Sequence, residues 1–220
     1  MTPVYDIENV NPAACTEDFP LRWIYRLEPV VATIALTILF PLAVIIGTVI
    51  AILSGRSPLI RHTRVGQRGL PLPMLKFRTM WENGRPRDYS ALIEDVSDSV
   101  PESKQEDDPR VVSRFAALCR RYSLDEIPQL YHVARGQMSF VGPRPITRDE
   151  MDKYYGPHSA EVLQLRPGLT GLWQVLGRSR LSYSRRMKLD IMLVRRASPN
   201  LYFWILLRTV PIVLRGYDAC

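Results

Sequence analysis

The run Val30 to Leu53, VVATIALTILFPLAVIIGTVIAIL, holds 24 residues and no charge, and it limits the fold more than any other feature. As a helix it would be about 36 Å long, enough to cross a hydrocarbon layer of about 30 Å. A core helix of that length normally keeps a polar face, and this run has none. A secretory leader fits no better, because the tail before the run is acidic and the run starts late. Crossing is a separate matter from insertion. Arg22 and Arg26 precede the run, and Arg56, Arg61, Arg64 and Arg68 follow it, so charge gives little asymmetry to orient it. Pro41 near the middle removes one amide donor and frees the carbonyl of Thr37, which predicts a bend. Thr33, Thr37 and Thr48 can satisfy freed backbone groups. The residues leave two topologies open: a spanning helix, or a bent one that enters and leaves by one face.

The remainder of the 220 residues is of globular composition, 46% apolar and 23% charged, with a net charge of +7. Residues 1–21 hold Asp6, Glu8, Glu17 and Asp18 and no Lys or Arg, so the body carries the basic excess. Such a body suits anionic headgroups, phosphorylated substrates or nucleic acid. A nucleic-acid binder would leave the apolar run without a purpose. Cys15, Cys119 and Cys220 are too scattered for a disulfide framework or a CxxC site, which fits a reducing compartment. The three histidines make no HExxH pair.

Residues 57–80 predict a β-hairpin around Gly66-Gln67-Arg68-Gly69. Alternation in its second arm sets Lys76 and Arg78 on one face, which would ordinarily be solvated, and Leu75, Phe77 and Thr79 on the other. Residues 82–109 are acidic and predict a surface loop with one helical turn near Tyr89–Ile93; a metal cluster is the sharper alternative. Residues 111–135 have helical periodicity. Within them Ser123-Leu124-Asp125-Glu126 reads either as a capping box or as a pair of carboxylates for chemistry, and Pro128 disturbs the helix one turn later. Gly142-Pro143-Arg144-Pro145 and Arg166-Pro167-Gly168-Leu169-Thr170-Gly171 are stiff loops, each fixing one guanidinium fork suited to phosphate. Residues 183–196 predict a basic helix with an Arg186–Asp190 surface pair. The end, Leu201 to Leu207, is too short to span and suits a helix lying in the headgroup layer.

Four blocks occur in order: Lys76-Phe77-Arg78-Thr79-Met80, Ser123-Leu124-Asp125-Glu126, Met138 to Pro145, and Arg166 to Gly171. Together they resemble the bacterial sugar transferase family, the small monotopic phosphoglycosyl transferases, from about Arg22 to Gly216. The resemblance implies an α+β, mostly helical fold. It comprises an N-terminal re-entrant membrane helix, a small β-hairpin, and interfacial amphipathic helices around a cytoplasmic catalytic domain. The corresponding segments are an acidic tail (1–21), a membrane-inserted helix (22–56), a catalytic domain (57–200) and a C-terminal interfacial helix and tail (201–220).

The resemblance also implies transfer of a sugar 1-phosphate from a UDP-sugar to polyprenyl phosphate, at the inner face of the bacterial cytoplasmic membrane, with release of UMP. It makes Asp125 the nucleophile and Glu126 the ligand of Mg²⁺, and it gives Arg120, Arg144 and Arg166 to the phosphates or the uridine. Lys76 and Asp190 match family positions near the substrates. The family's re-entrant helix usually breaks at Ser-Pro, where this chain has Phe40-Pro41. A non-catalytic basic membrane adaptor is the alternative function, and it would need neither the carboxylate pair nor the fixed arginines.

Overall fold

The computed structural model describes residues 20–81, 88, 91–96 and 111–216. The acidic tail before Pro20 and most of the acidic stretch from 82 to 110, Tyr89 included, lie outside the described residues. Helix α1 (Arg22–Ser54) takes in the whole apolar run and stays helical through Pro29 and Pro41. Gly55, in the left-handed region at φ 68°, closes it by donating to the Ala51 carbonyl. The threonine hydroxyls bond back one turn, Thr33 to Pro29, Thr37 to Thr33 and Thr48 to Val44, at 2.7–2.9 Å. Among the described residues α1 is the one helix long and apolar enough to cross a membrane.

Its packing is unlike that of an upright anchor, which would bury only its root. Ile24, Glu28, Ala32, Ile46, Gly47 and Ile50 form a buried stripe along nearly the full length. Ile24 joins a core with Leu193, Tyr202 and Ile205, while Ile46 and Ile50 join another with Phe77, Ile127 and Leu130. Both ends of α1 therefore rest on one body. The opposite face, including Val31, Ile34, Ile38, Val44, Ile45 and Ile52, is exposed.

The predicted hairpin forms as β1 (Leu59–Val65) and β2 (Pro71–Phe77), antiparallel with Leu59 opposite Phe77 and Val65 opposite Pro71. A third strand, β3 (Ile93–Val96), pairs parallel with β1, so Ile93 is in a strand rather than a helical turn or loop. Charge draws it there. Glu94 meets Arg78 at 2.6 Å and Arg56 at 3.7 Å, and Asp95 forms a bidentate pair with Arg61. The face expected to be solvated is buried instead, since Lys76 and Arg78 are each 6% exposed and hold carboxylate partners.

The periodic stretch after residue 111 is not one helix. It divides into α2 (Arg114–Arg121), a 3₁₀ turn over Leu124–Gln129 and α3 (Leu130–Ala134). Buried His132 fastens α3 to the hairpin, accepting from the Leu75 amide at Nε2 (3.2 Å) and meeting Gln137 Oε1 from Nδ1 at 2.8 Å. Burial lowers its pKa and keeps the ring neutral, as this pattern of one acceptor and one donor requires.

Strands β4 (Ser139–Val141) and β5 (Gly168–Thr170) form a small parallel sheet, which zips the two stiff loops together. Gly142 donates to the Thr170 carbonyl at 2.9 Å and Gly168 to the Pro143 carbonyl at 2.8 Å. The backbones are so close that a Cβ on Gly168 would sit 2.1 Å from the Gly142 nitrogen, and one on Gly142 would sit 2.2 Å from the Arg166 oxygen. Short helices α4 (Arg148–Glu150), α5 (Ser159–Val162) and α6 (Leu172–Leu176) flank this sheet in sequence, and Met151–Tyr155 forms a π-helical turn. The basic helix is α7 (Tyr183–Arg195). The last helix, α8 (Pro199–Arg215), has 17 residues and begins before Leu201.

Glu28 joins three of these parts. Only 3% exposed, it accepts from the Ser139 hydroxyl (2.5 Å), the Phe140 amide (2.9 Å) and the Tyr202 hydroxyl (2.7 Å). It thereby ties α1 to β4 and α8.

The glycine contact gives the first test. Gly168→Ala forces backbone apart in a packed layer and should cost about 2–3 kcal/mol, a fall in melting temperature of roughly 5–10 °C. Thermal melting of the detergent-solubilised protein measures it; an unchanged midpoint would mean that the two loops are not zipped.

Candidate active site

The carboxylate pair owes its placement to a break in the helix. After α2, Ser123 adopts φ 55° and ψ 26°, a left-handed conformation uncommon for a residue with a side chain. The chain then winds into the 3₁₀ turn that contains Asp125, Glu126 and Pro128. The Ser123 hydroxyl accepts no cap bond there, so the capping-box reading of this motif fails. The capping box of this region is Thr147 with Glu150.

Glu126 opens into a cavity of about 380 Å³, whose lining also includes its neighbours Leu124 and Ile127. Asp125 is buried at 3% exposure, adjoining that wall without lining it. Behind it lies the Cys119 thiol, pushed up to about 11 by burial and then by the Asp125 charge. Lys76, at the end of β2, reaches across to Glu126 with 3.8 Å between Nζ and Oε1. Asp125, Glu126 and Lys76 thus come together. Arg120, buried at 9%, is in the last turn of α2, five residues before Asp125.

Arg144 lines the same cavity, with its guanidinium carbon 5.6 Å from the centre of the Trp173 ring. Behind it stands Asp190, fully buried, accepting from the Tyr155 hydroxyl at 2.8 Å and from the Arg144 backbone. Burial raises the Asp190 carboxyl to about 7, although Tyr155 and the Arg144 charge pull the other way. Asp190 is therefore a support for Arg144, not a group facing the cavity.

Arg166 is elsewhere. Pro29 has no amide to give the Tyr25 carbonyl four residues before it, and Arg166 donates to that carbonyl at 3.4 Å while stacking on the Tyr25 ring at 4.7 Å. The structure gives Arg166 a place at the root of α1 and leaves it off the cavity wall.

Several lining residues were not expected at a site from the sequence. Arg178 and Arg186, the latter read as half of a surface pair, bring further guanidinium groups, and Trp173 and Gln174 also line the cavity. Arg186 sits over Trp173 at 4.9 Å and over Tyr183 at 5.2 Å. Its pairing with Asp190 on the surface is not what forms, because Asp190 turns into the core toward Tyr155. The spacing of Tyr183 and Arg186, three apart on one helix, was the available signal. The helices α1 and α8 add Leu39, Leu42, Leu206 and Val213, with Thr209 among them.

The arrangement combines a turn bearing two carboxylates, of which Glu126 faces the cavity, a set of guanidinium groups, and apolar side chains of α1 and α8. Comparison with known proteins gives the family. The family model for bacterial sugar transferases matches residues 22–216. The chain is 38% identical over 195 residues to the exopolysaccharide production protein ExoY of Sinorhizobium fredii, covering 84% of this chain and 83% of that one. It is 38% identical over 202 residues to a UDP-glucose:undecaprenyl-phosphate glucose-1-phosphate transferase of Caulobacter vibrioides, 88% of this chain and 71% of the relative. It is 39% identical over 167 residues to the undecaprenyl-phosphate galactose phosphotransferase of Salmonella typhimurium, 72% of this chain and 33% of that longer protein. The chain belongs to the bacterial sugar transferase family. It is an enzyme, a phosphoglycosyl transferase, and the reading as a non-catalytic adaptor falls away.

The raised Asp190 carboxyl gives a pH test with a definite sign. Below about pH 4 the group is protonated whether the chain is folded or not. Between about pH 4 and 7 the unfolded chain releases the proton while the folded chain keeps it, so folding loses stability as pH rises and the loss levels off above about 7. Asp190→Asn removes that component. Melting curves from pH 4 to 8 should show wild type losing ground to the variant; parallel curves would exclude it.

Proposed function

We propose that the enzyme transfers a sugar 1-phosphate from a UDP-sugar to polyprenyl phosphate at the cytoplasmic face of the bacterial inner membrane, starting assembly of a membrane-linked or exported glycan. The observation that carries the reading is one cavity lined both by a carboxylate with guanidinium groups and by aliphatic side chains of α1 and α8. Phosphate chemistry and a lipid are both provided for in one space. The names of the relatives supply the same two substrate classes.

The chemistry follows in two displacements. A carboxylate oxygen of Asp125 attacks the β-phosphorus of the donor, the bond to the bridging oxygen breaks, and UMP leaves with that oxygen. The phosphate oxygen of the acceptor then attacks the same phosphorus, the bond to Asp125 breaks, and the carboxylate is regenerated. Arg144 binds a phosphate with its planar fork, and Asp190 and Tyr155 hold it in place. Lys76 sets a positive charge beside Glu126.

The donor set fits magnesium. The described residues contain no cluster of three His, Cys, Asp or Glu side chains, but Mg²⁺ is commonly held by one or two carboxylates and substrate phosphates. Glu126, which faces the cavity, is the residue that would hold it. When bound, the ion neutralises charge on the diphosphate and the leaving UMP.

Re-entry of α1 into one leaflet is part of the proposal. Its support is the buried stripe, which rests both ends of the helix on one body and leaves the outer face of the apolar run uncharged, its exposed threonine hydroxyls bonded back to the helix. On the same footing, Phe203, Leu207, Val210 and Leu214 of α8 face outward to the headgroup layer.

Purified protein in detergent, given a panel that includes UDP-glucose and UDP-galactose, should release UMP from at least one donor. Asp125→Asn should lower the rate at least about 1000-fold and abolish a covalent phosphosugar adduct in intact-protein mass spectra. An adduct that persists in that variant removes Asp125 from its role. Glu126→Gln should keep the fold, since no cap bond depends on it and the amide oxygen can still face Lys76, while lowering turnover and weakening the response to added Mg²⁺. An unaltered metal response would remove Glu126 as the ligand.

A further inference from the structure

Resting on that reading, we propose that Arg178 and Arg186 form, with the aliphatic wall between α1 and α8, the subsite for the acceptor's lipid phosphate rather than for the nucleotide donor. Three observations support it. The first is the composition of the cavity wall. The helices α1 and α8 give it Leu39, Leu42, Leu206 and Val213, side chains with no hydrogen-bonding group, and the Thr209 hydroxyl among them is already bonded to Thr170 and Ile205. A nucleoside placed there would lose water from its base and ribose edges and gain no partner, whereas a prenyl chain loses only unfavourable hydration. α1 and α8 also carry the apolar outer faces of the molecule, so a chain leaving the cavity between them meets an apolar surface, not bulk water.

The second observation is charge. Arg144 and Arg186 share the Trp173 ring, at 5.6 and 4.9 Å, and Arg178 lines the same cavity. Like charges held this close repel, and a phosphate monoester bound among them offsets the repulsion. The third is backbone strain. Among the described residues three non-glycine residues have positive φ: Arg68, Ser123 and Arg178. Two of the three line this cavity, Ser123 at the carboxylate turn and Arg178 at φ 47°. Strain of this kind gathers at ligand clamps. The arginines of this subsite would hold the acceptor phosphate near the turn that bears Asp125, with its lipid tail between the two helices.

The test separates the half-reactions. With UDP-sugar alone, the double variant Arg178→Gln/Arg186→Gln should give a UMP burst within about twofold of wild type, at an unchanged donor concentration for half-maximal burst. Discharge of the adduct should need at least tenfold more undecaprenyl phosphate in phosphatidylcholine nanodiscs. A burst lost, or a higher donor requirement with an unchanged acceptor requirement, would assign these arginines to the donor and overturn the proposal. Val213→Trp probes the aliphatic wall: it should raise the requirement for undecaprenyl phosphate and spare that for a short prenyl phosphate. Equal effects on both chain lengths would count against the aliphatic wall.

Binding is read without turnover in a protein that keeps Trp173 and carries Phe at Trp23, Trp81 and Trp204. Undecaprenyl phosphate in nanodiscs should shift its emission, and undecaprenol in the same nanodiscs should not. If UMP is released but the emission does not respond, the subsite is wrong and the reaction stands. If the emission responds but no UDP-sugar yields UMP, the lipid-phosphate site stands and the proposed reaction fails.

Discussion

A carboxylate buried at the root of an apolar helix is costly unless donors surround it, and Glu28 has three of them. They come from two parts of the chain distant from α1 in sequence: a hydroxyl and an amide from β4, and a phenol from α8. The interaction fixes where the long helix begins relative to the sheet that carries the two arginine loops. Arg166 reinforces it by serving the carbonyl that Pro29 leaves bare. Once the root is fixed, the stripe from Ala32 to Ile50 settles onto the hairpin and the carboxylate turn. The site therefore depends on a polar contact at the edge of the most apolar segment.

Much of this was legible before any coordinates. The hairpin followed from alternation and a glycine turn, the basic helix from periodicity, and the stiffness of the two loops from their prolines and glycines. Other features were not legible, for physical reasons. β3 has a sequence that reads as an acidic loop, and it becomes a strand only because arginines from elsewhere neutralise it. The division of residues 111–135 turns on one left-handed serine, which periodicity does not reveal. Glu28 sat beside the apolar run as an ordinary flanking charge.

The candidate site was legible in its carboxylates and Arg144, and much less so in its walls. Arg166 and Arg144 look alike in sequence, each fixed in a proline-rich loop, yet one faces the cavity and the other the root of α1. Asp190 is four residues from Arg186, as in a surface pair, but full burial gives it to Tyr155 and the backbone of Arg144. A cavity assembled from five or more separated stretches leaves no local pattern. Its aliphatic residues look the same as those facing outward.

The sharing of α1 and α8 between the cavity wall and the outer apolar surface has a practical consequence. Leu39, Leu42, Leu206 and Val213 are at once parts of the apolar helices and parts of the reaction vessel. Trimming away the greasy segments to obtain a soluble fragment would leave the dyad and its arginines on a vessel with one side missing. The apolar helices and the candidate site are a single object here, and neither can be engineered without the other.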